Sequence, residues 1–431
     1  MYLADSRGTG VTAAPDPGPG RRPAAVPATV LALGAVSLVT DVSSEMVTAV
    51  LPLYVVAGLG LSPLGFGLLD GINNGVGALV RLAGGHLADG GGRRHKTVAG
   101  LGYALSALCK PLLLLAHTLP VISAVLAADR TGKGLRTAPR DAMISLATEP
   151  RYRGRAFGVH RAMDTTGALL GPLVAFAVLR ATVDGYDAVF AVSGCVALLG
   201  VLVLVLFVPG HIATAPAPAT TAPGRPVPSP EPARPTLRDA VGLLRRPELR
   251  ALTLCATLLG LTTVSDSFLY LLLQREGDLP VHLFPLLPLG TAAVFLLLAL
   301  PLGALADRAG RRRLFLAGHG VLLLGYGLVL SPWHGAPAVL AVLVLHGTFY
   351  AATDGVLAAA TAAAVPARHQ GAGQALVGTG QALARFACSL AFGAAWGLWG
   401  GRTALAVTAG ALAVSAVVAA FVLRPVPEVS P

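Results

Sequence analysis

Charge is scarce in this chain. Only 12% of its 431 residues are Asp, Glu, Lys or Arg, against roughly 25% in soluble domains, so it has too little polar surface for a water-soluble globule. Aromatic residues are also few, at 6%. The four cysteines, Cys109, Cys195, Cys255 and Cys388, each fall inside an apolar stretch, and none sits at metal-ligand spacing. They read as small apolar fillers, and no metal site is expected. There is no G-x-S-x-G, no H-E-x-x-H and no Cys/His cluster, which speaks against an intramembrane enzyme. No cofactor is expected either.

Long apolar runs take the place of charge. Hydrophobic residues make up 54% of the chain, and the mean hydropathy is +0.71. Stretches of about 20 apolar residues, each able to cross ~30 Å of hydrocarbon, recur at 28–57, 63–88, 97–117, 120–147, 153–181 and 186–209. They recur again at 248–274, 280–307, 313–331, 335–365, 369–398 and 401–424. The expected fold is an all-α membrane protein with twelve transmembrane helices. The bulk of these runs is Ala, Leu, Val and Gly, which lets helices approach closely where lipid supplies no drive to associate. Residues 1–27, rich in Gly, Pro and Ala and lacking an apolar core, read as a disordered cytoplasmic tail without a signal peptide. Residues 210–247 carry Ala-Pro-Ala-Pro, Pro-Gly-Arg-Pro-Val-Pro-Ser-Pro and Glu-Pro-Ala-Arg-Pro. A segment so rich in proline holds no interior helix and reads as a linker, ending in a short amphipathic piece around Leu237 to Leu244. The domain plan is thus a tail, a six-helix half at 28–209, the linker, a second half at 248–424 and a short tail at 425–431.

The net charge of +11 would suggest nucleic acid in a soluble protein. Position argues otherwise. Twenty-one of the 32 Lys and Arg residues fall in the tails, the linker and alternate loops, while the opposite loops hold only Arg180, Arg275 and Arg402. By the positive-inside rule this places both termini and the linker in the cytoplasm of a multi-pass protein, and no nucleic-acid partner is expected.

The two halves repeat. Gly85-His-Leu-Ala-Asp89-Gly-Gly-Gly-Arg93-Arg94 reappears 218 residues later as Gly303-Ala-Leu-Ala-Asp307-Arg308-Ala-Gly310-Arg311-Arg312, a sign of internal duplication. These loops resemble the signature of the major facilitator superfamily between its second and third helices, with a degenerate copy between the eighth and ninth. The resemblance implies two six-helix pseudo-repeats around a central cavity. It also implies a conformational latch at Gly85, Asp89, Arg93 and Arg94, with Asp307 and Arg311 as its second copy. Gly90 stands where the family often has Arg. The alternative is that the loop charges only set topology.

Three further elements carry chemistry. In the fourth run, Asp129-Arg130-Thr131-Gly132-Lys133-Gly134-Leu135-Arg136 continues to Arg140-Asp141, with Arg130 and Gly134 in register with the family's R-x-x-x-G element. Asp129, Lys133, Arg136 and Arg140 fall along one helical face. Each charge costs at least ~2.5–3.5 kcal/mol at the centre of a lipid-facing helix, so they line a wet cavity or pair internally. Arg136 and Arg140 have a plainer alternative, at the cytoplasmic boundary. In the fifth run, Gly167-Ala-Leu-Leu-Gly171-Pro172 resembles the motif of proton-driven antiporters; ordinary helix packing is the alternative. Arg161 and Asp164 just before it stand at ion-pair spacing. The first run holds Asp41 and Glu45 on one face among Ser37, Thr40, Ser43 and Ser44. Asp41 is the first candidate for a coupling acid, Glu45 and Asp164 follow, and a permanent ion pair of Asp41 with Arg130 or Lys133 is the alternative. Asp266 and Asp354 gain weight because the family lines its cavity with helices 1, 4, 7 and 10. Arg81, Lys110 and Arg385 are weaker candidates, with Lys110 read as a pairing residue.

The expected activity is secondary active transport, with proton-coupled efflux of a small molecule as the first reading. A symporter or exchanger of anionic solutes, favoured by the cationic fourth run, is the second. The proton gradient is the expected energy source, the bilayer and a small-molecule substrate the expected partners, and a monomer in a bacterial cytoplasmic membrane the expected state.

Overall fold

The computed structural model describes residues 26–88, 94–149, 152–183, 185–210, 242–365 and 370–423. The regular elements among them are helices throughout. The first half comprises α1 (Ala28–Leu53, prolonged by a π turn, Tyr54–Gly58), α2 (Pro63–Ala88), α3 (Arg94–Leu112), α4 (Leu119–Ala147), α5 (Arg153–Ala181) and α6 (Tyr186–Phe207). The second comprises α7 (Pro247–Leu261), α8 (Asp266–Glu276), α9 (Leu286–Ala309), α10 (Arg311–Leu330), α11 (Ala336–Ala363), α12 (Gln370–Trp399) and α13 (Gly401–Val422). The apolar run expected as one helix at 248–274 is broken at 262–265 into α7 and α8, which together make one crossing. Thr262 and Thr263 turn their hydroxyls back onto carbonyls of the preceding turn, and such local bonds compete with continued helix.

Ten crossings are long and apolar enough to span a membrane by composition. The fourth run fails that measure because α4 concentrates six charged residues between Asp129 and Asp141. At ~1.5 Å per residue its 29 residues still reach about 44 Å, and the 26 of α2 about 39 Å. With these two the protein has twelve membrane-spanning segments.

Within the first half, α1 packs on α5 and α6, and α4 on α2 and α3; in the second, α11 packs on α9 and α10, and α12 on α7 and α13. The halves meet along α2 and α12, with α1 touching α8 and α5 touching α9. Small residues make the α2–α12 seam possible. A Cβ on Gly67 would strike the carbonyl of Ser389, and one on Gly393 the carbonyl of Pro63, so the backbones touch.

The seam is sealed by aromatic rings at the end of the molecule remote from the linker, called here the far end. Phe268 of α8, 1% exposed, stands edge-on to Phe66 of α2 and to Phe392 of α12, with ring centroids 4.9 Å apart in each case. Trp396 lies beside both Phe268 and Phe392. Phe176 of α5 meets His282, just before α9, at the same end. Of the 210–247 linker, the described part from residue 242 holds a 3-10 turn at Leu243–Arg245; the rest of the expected amphipathic piece lies outside the described residues.

Candidate functional site

Two polar clusters occupy the interior. The first is built where α1, α4 and α5 converge. Gly167 and Gly171 allow it: a Cβ on either would meet the backbone of α1 at Leu38 or Val42. The G-x-x-x-G-P element thus sets α5 directly against the turns of α1 that carry Asp41 and Glu45. Asp41 is buried, and Arg136 Nη2 donates to its Oδ1 at 3.1 Å. Lys133 Nζ stands 3.8 Å from the same oxygen and 3.7 Å from Glu45 Oε1. Asp164 reaches across from α5, its carboxyl group within hydrogen-bonding reach of that of Asp41. Arg140 Nη1 and Arg161 Nη1 each stand 3.6 Å from Asp164.

Polar groups tie this cluster to its surroundings. Arg140 Nε donates to Asp141 at 3.0 Å, and its Nη1 reaches Ser37 Oγ at 3.4 Å. Ser37 Oγ is also 3.0 Å from His160 Nε2. The Arg136 guanidinium lies over the Tyr103 ring, 4.6 Å from its centroid, a cation–π contact that also excludes water.

Arg136 is 3% exposed and, at 3.1 Å, is nearer to Asp41 than Lys133. One alternative is corrected here: of the two cations offered to Asp41, Lys133 stands by it and Arg130 does not. Arg130 Nε lies 3.9 Å from Asp129, Nη2 contacts Thr48 Oγ1 at 3.4 Å, and Nε has no hydrogen-bond partner. Nor do the four charges of α4 share a destination. Asp129 turns to α3, where Lys110 Nζ donates at 2.8 Å and Ser106 Oγ at 2.5 Å, while Lys133, Arg136 and Arg140 turn to α1 and α5. A face about 60° wide is enough to send neighbouring turns to different helices.

The second cluster lies in the other half. Asp266, at the start of α8, accepts from Tyr350 OH at 2.6 Å and lies 3.1 Å from His346 Nε2. Arg385 of α12 faces Tyr350, Asp266 and Asp354. Beside this cluster a cavity of ≈ 290 Å³ opens among α7, α10, α11 and α12, lined by Thr263, His319, Asp354, Gln381 and Arg385 among others. It lies on the linker side of the aromatic seal. Asp266 and Asp354 thus come together around Arg385, in a group of their own on the other half from the Asp41 cluster.

The loop signatures are seen in part. Asp89 and Arg93 lie outside the described residues; Gly85 is in α2 and Arg94 opens α3, and their side chains, like that of Arg81, fall outside the description. In the second copy Arg311 Nη2 donates to Asp307 at 3.1 Å and Arg311 Nη1 to the Ala359 carbonyl at 3.1 Å. Both contacts stay within one half.

Sequence reading passed over four interior residues: Asp70, His160, His346 and Tyr350. Asp70 was open to the same test as Asp41, a carboxylate inside an apolar run. The two histidines and the tyrosine left no signal, because a lone His or Tyr in a membrane helix gains meaning only from what faces it.

Comparison with known proteins agrees with this architecture. The chain is 28% identical over 333 residues to an uncharacterized MFS-type transporter of Methanocaldococcus jannaschii, covering 74% of this chain and 76% of that one. A protein of Mycobacterium tuberculosis is 36% identical over 158 residues, 36% of this chain and 38% of its own length. Among solved structures, the nucleoside transporter NupG superposes with a TM-score of 0.74 at 15% identity, covering 92% of this chain and all of that one. A bacterial homolog to the human lysosomal transporter Spinster, in an inward-facing and unoccupied conformation, gives 0.73 at 16% identity over 93% of this chain and 98% of that one. At such identities these two show the fold alone. The family model of the Major Facilitator Superfamily matches residues 33–287 and 268–431, so this chain belongs to the Major Facilitator Superfamily of membrane transporters.

Proposed function

We propose that the protein is a proton-coupled exporter of a small molecule, working by alternating access in a bacterial cytoplasmic membrane with both termini on the cytoplasmic side. The observation that carries this reading is the Asp41–Asp164 pair. Two carboxyl groups in hydrogen-bonding reach of each other share Arg136, Lys133, Arg140 and Arg161 at distances from 3.1 to 3.8 Å. Two carboxylates so close repel, and one proton relieves the repulsion. Protonation of either acid weakens its hold on a cation of α4, and α4 then has reason to move against α1 and α5. The pair thus converts a proton into a change of helix contacts, which is the requirement for coupling.

With the linker cytoplasmic, the sealed far end faces outward and the cavity beside Arg385 is approached from the cytoplasm, as an exporter waiting for cargo requires. The protein works as a monomer, with the proton gradient as energy source and no cofactor. The test is a reconstituted vesicle carrying a pH-sensitive dye and a preset gradient. Addition of a transported compound dissipates the gradient in wild type, and Asp41→Asn abolishes that response while the protein still inserts. Accumulation by Asp41→Asn at the wild-type level overturns the assignment of the pair.

A second reading, exchange of an anionic solute, has its own support in Arg130. Its Nε lacks a hydrogen-bond partner, and the neighbouring Lys133 is 35% exposed. Organic anions that move without proton flux, and whose uptake Arg130→Gln abolishes, decide for that reading.

A further inference from the structure

Much of the polar wall of the cavity beside Arg385 has already spent its hydrogens on the backbone. Thr263 Oγ1 donates to the Leu259 carbonyl and Thr353 Oγ1 to the Phe349 carbonyl, each at 2.8 Å, which leaves both oxygens as acceptors. His319 Nδ1 lies 2.8 Å from the Phe315 carbonyl. A carbonyl only accepts, so Nδ1 carries the hydrogen and the neutral ring keeps Nε2 as an acceptor. Gln374 directs its Nε2 to the Ala358 carbonyl, and its amide oxygen remains. These lining residues come from different sides of the cavity: Thr263 follows α7, His319 lies in α10, Thr353 in α11 and Gln374 in α12.

The rest of the polar wall leans the same way. The Asp354 carboxylate is a further acceptor, with Arg385 facing it. Tyr350 gives its hydroxyl hydrogen to Asp266. Among the described lining residues, side-chain N–H groups remain on Gln374, Gln381 and Arg385, and the Arg385 guanidinium already faces Tyr350, Asp266 and Asp354. The wall therefore offers more lone pairs than hydrogens, and the guest that completes it brings N–H groups of its own. One side is aromatic: Phe315, His319 and Phe349 follow one another with ring centroids 4.8 and 5.3 Å apart. At ≈ 290 Å³ the cavity stands at the small end of ligand pockets, which run from about 300 to 1,000 Å³.

We propose that this cavity binds the primary ammonium group of a small amine with an apolar ring. An ammonium group carries three hydrogens and no lone pair, which is the complement of this wall. The faces of Phe315 and Phe349 attract a cation and give the ring a surface to pack on. A carboxylate or phosphate brings lone pairs to a wall already rich in them, and is refused on that ground. A quaternary ammonium has the charge without the hydrogens, so it buries the acceptors unpaired. The inference rests on the reading above, in which cargo enters this cavity from the cytoplasm, and names the class of that cargo.

The test is titration calorimetry on the full chain in detergent with phenethylamine, phenethyl alcohol, hydrocinnamate and phenethyltrimethylammonium. These probes share a ring and a two-carbon chain and differ in charge and in N–H. The primary amine should bind at least about ten-fold more tightly than each of the others, the worth of a hydrogen bond to a charged group. Thr263→Val and Thr353→Val together keep the shape of the wall and remove two acceptors. In that variant the preference for the primary over the quaternary amine should fall by about ten-fold, with the affinity for the quaternary amine unchanged. A preference set by size alone survives the change, because valine fills the space of threonine. The wild-type series decides by itself if the valine variant does not fold.

Equal binding of the primary and quaternary amines overturns the proposal, as does tightest binding of hydrocinnamate, no binding of phenethylamine, or a preference unaltered in the valine variant. Proton flux in reconstituted vesicles, corrected for protein-free vesicles, separates this inference from the reading on which it rests. Flux from a protein whose cavity does not prefer the primary amine removes the ammonium site alone. Amine-selective binding without flux for any compound removes coupled export and leaves the ammonium site standing.

Discussion

The two halves share a fold and differ in what they place inside it. Between α1, α4 and α5 the first half holds a lattice of ions: Asp41, Glu45, Lys133, Arg136, Arg140, Arg161 and Asp164 make ion-pair contacts of 3.1 to 3.8 Å. The second half holds, among the described residues, a cavity of ≈ 290 Å³, with Arg385 and Asp354 on its wall. Among the described residues, the ion lattice thus belongs to the first half and this cavity to the second. A lattice of buried charges has few ways to rearrange without leaving one unpaired, so it suits a switch with discrete states. A cavity lined by Thr263, Gln381, His319 and Arg385 can accept a guest by exchanging hydrogen bonds, so it suits binding. Breaking one half should therefore damage folding and coupling together, and breaking the other should damage binding first.

The largest effect is expected at Arg136. Removing one partner of a buried ion pair costs about 3–5 kcal/mol, because the other charge stays buried and unpaired. Arg136→Gln should therefore lower the unfolding temperature in detergent more than any cavity substitution, and adding Asp41→Asn should restore part of the loss without restoring transport. The double-mutant cycle measures this coupling directly. Strictly additive losses would show that Lys133 alone carries Asp41. Arg130→Gln combined with Asp41→Asn is the control, and its losses should add, since Arg130 leans on Asp129 and Thr48.

Much of this contrast was legible in the chain. The runs, their duplication and the candidate acids follow from spacing, because a membrane helix needs a fixed length and tolerates few charges. Pairing was not legible. Asp41, Lys133, Arg136 and Arg130 were all read as interior or boundary charges, yet which meets which depends on a helix rotation of tens of degrees that no spacing rule supplies. The break at 262–265 was hidden for a similar reason. Thr262, Thr263 and Ser265 suit a helix end as well as a polar cavity wall, and their spacing does not say which; in the fold, Phe268 just past the break packs against Phe66 and Phe392. Asp70 was overlooked because its partners, Ser389 and the serines around Asp266, lie far away in sequence.

A middle-sized effect should come from the glycines that let α5 carry Asp164 up to Asp41. A Cβ on Gly171 would stand 2.8 Å from the Val42 carbonyl and 2.7 Å from Glu45 Cβ, and overpacking of this kind typically costs about 1–3 kcal/mol. Gly171→Val should push α5 away and lower proton-coupled transport with a modest loss of thermal stability. Gly327→Val on α10, where a Cβ meets nothing within 4 Å, is the matched control in the second half. Equal losses from both would mean that the crossing has no special bearing on coupling.

Asp266 should respond more mildly than Arg136 to loss of charge. It is 40% exposed at its side chain and accepts from Tyr350 at 2.6 Å, and Asn retains an acceptor there. A hydrogen bond to a charged group contributes about 1.5–3 kcal/mol, of which Asp266→Asn forfeits only the charge-assisted share. The loss should appear in substrate affinity before it appears in unfolding temperature, because Arg385 on the cavity wall would gain freedom from one of its carboxylates. Ligand-induced stabilisation measured on the purified protein reads affinity apart from the cycle. A fall in unfolding temperature as large as that of Arg136→Gln would erase the distinction between the two halves.

The smallest effect is expected at Asp307, and it bears on what the repeated loop does. Asp307 is 59% exposed at its side chain and pairs with Arg311 one turn along, and exposed pairs of this type contribute roughly 0–1 kcal/mol. Arg311 has a second acceptor in the Ala359 carbonyl at 3.1 Å, so loss of Asp307 leaves it engaged. Asp307→Ala should therefore leave stability and transport nearly unchanged. The first copy of the loop, in the first half, is the informative comparison: Asp89→Ala is expected to reduce transport further than Asp307→Ala, since the better-matched signature belongs to the half that switches. Initial transport rates of the two variants at equal membrane abundance decide between them. Equal and slight effects would reduce both loops to setting topology, and a larger loss from Asp307→Ala would move the conformational control to the half that holds the cavity.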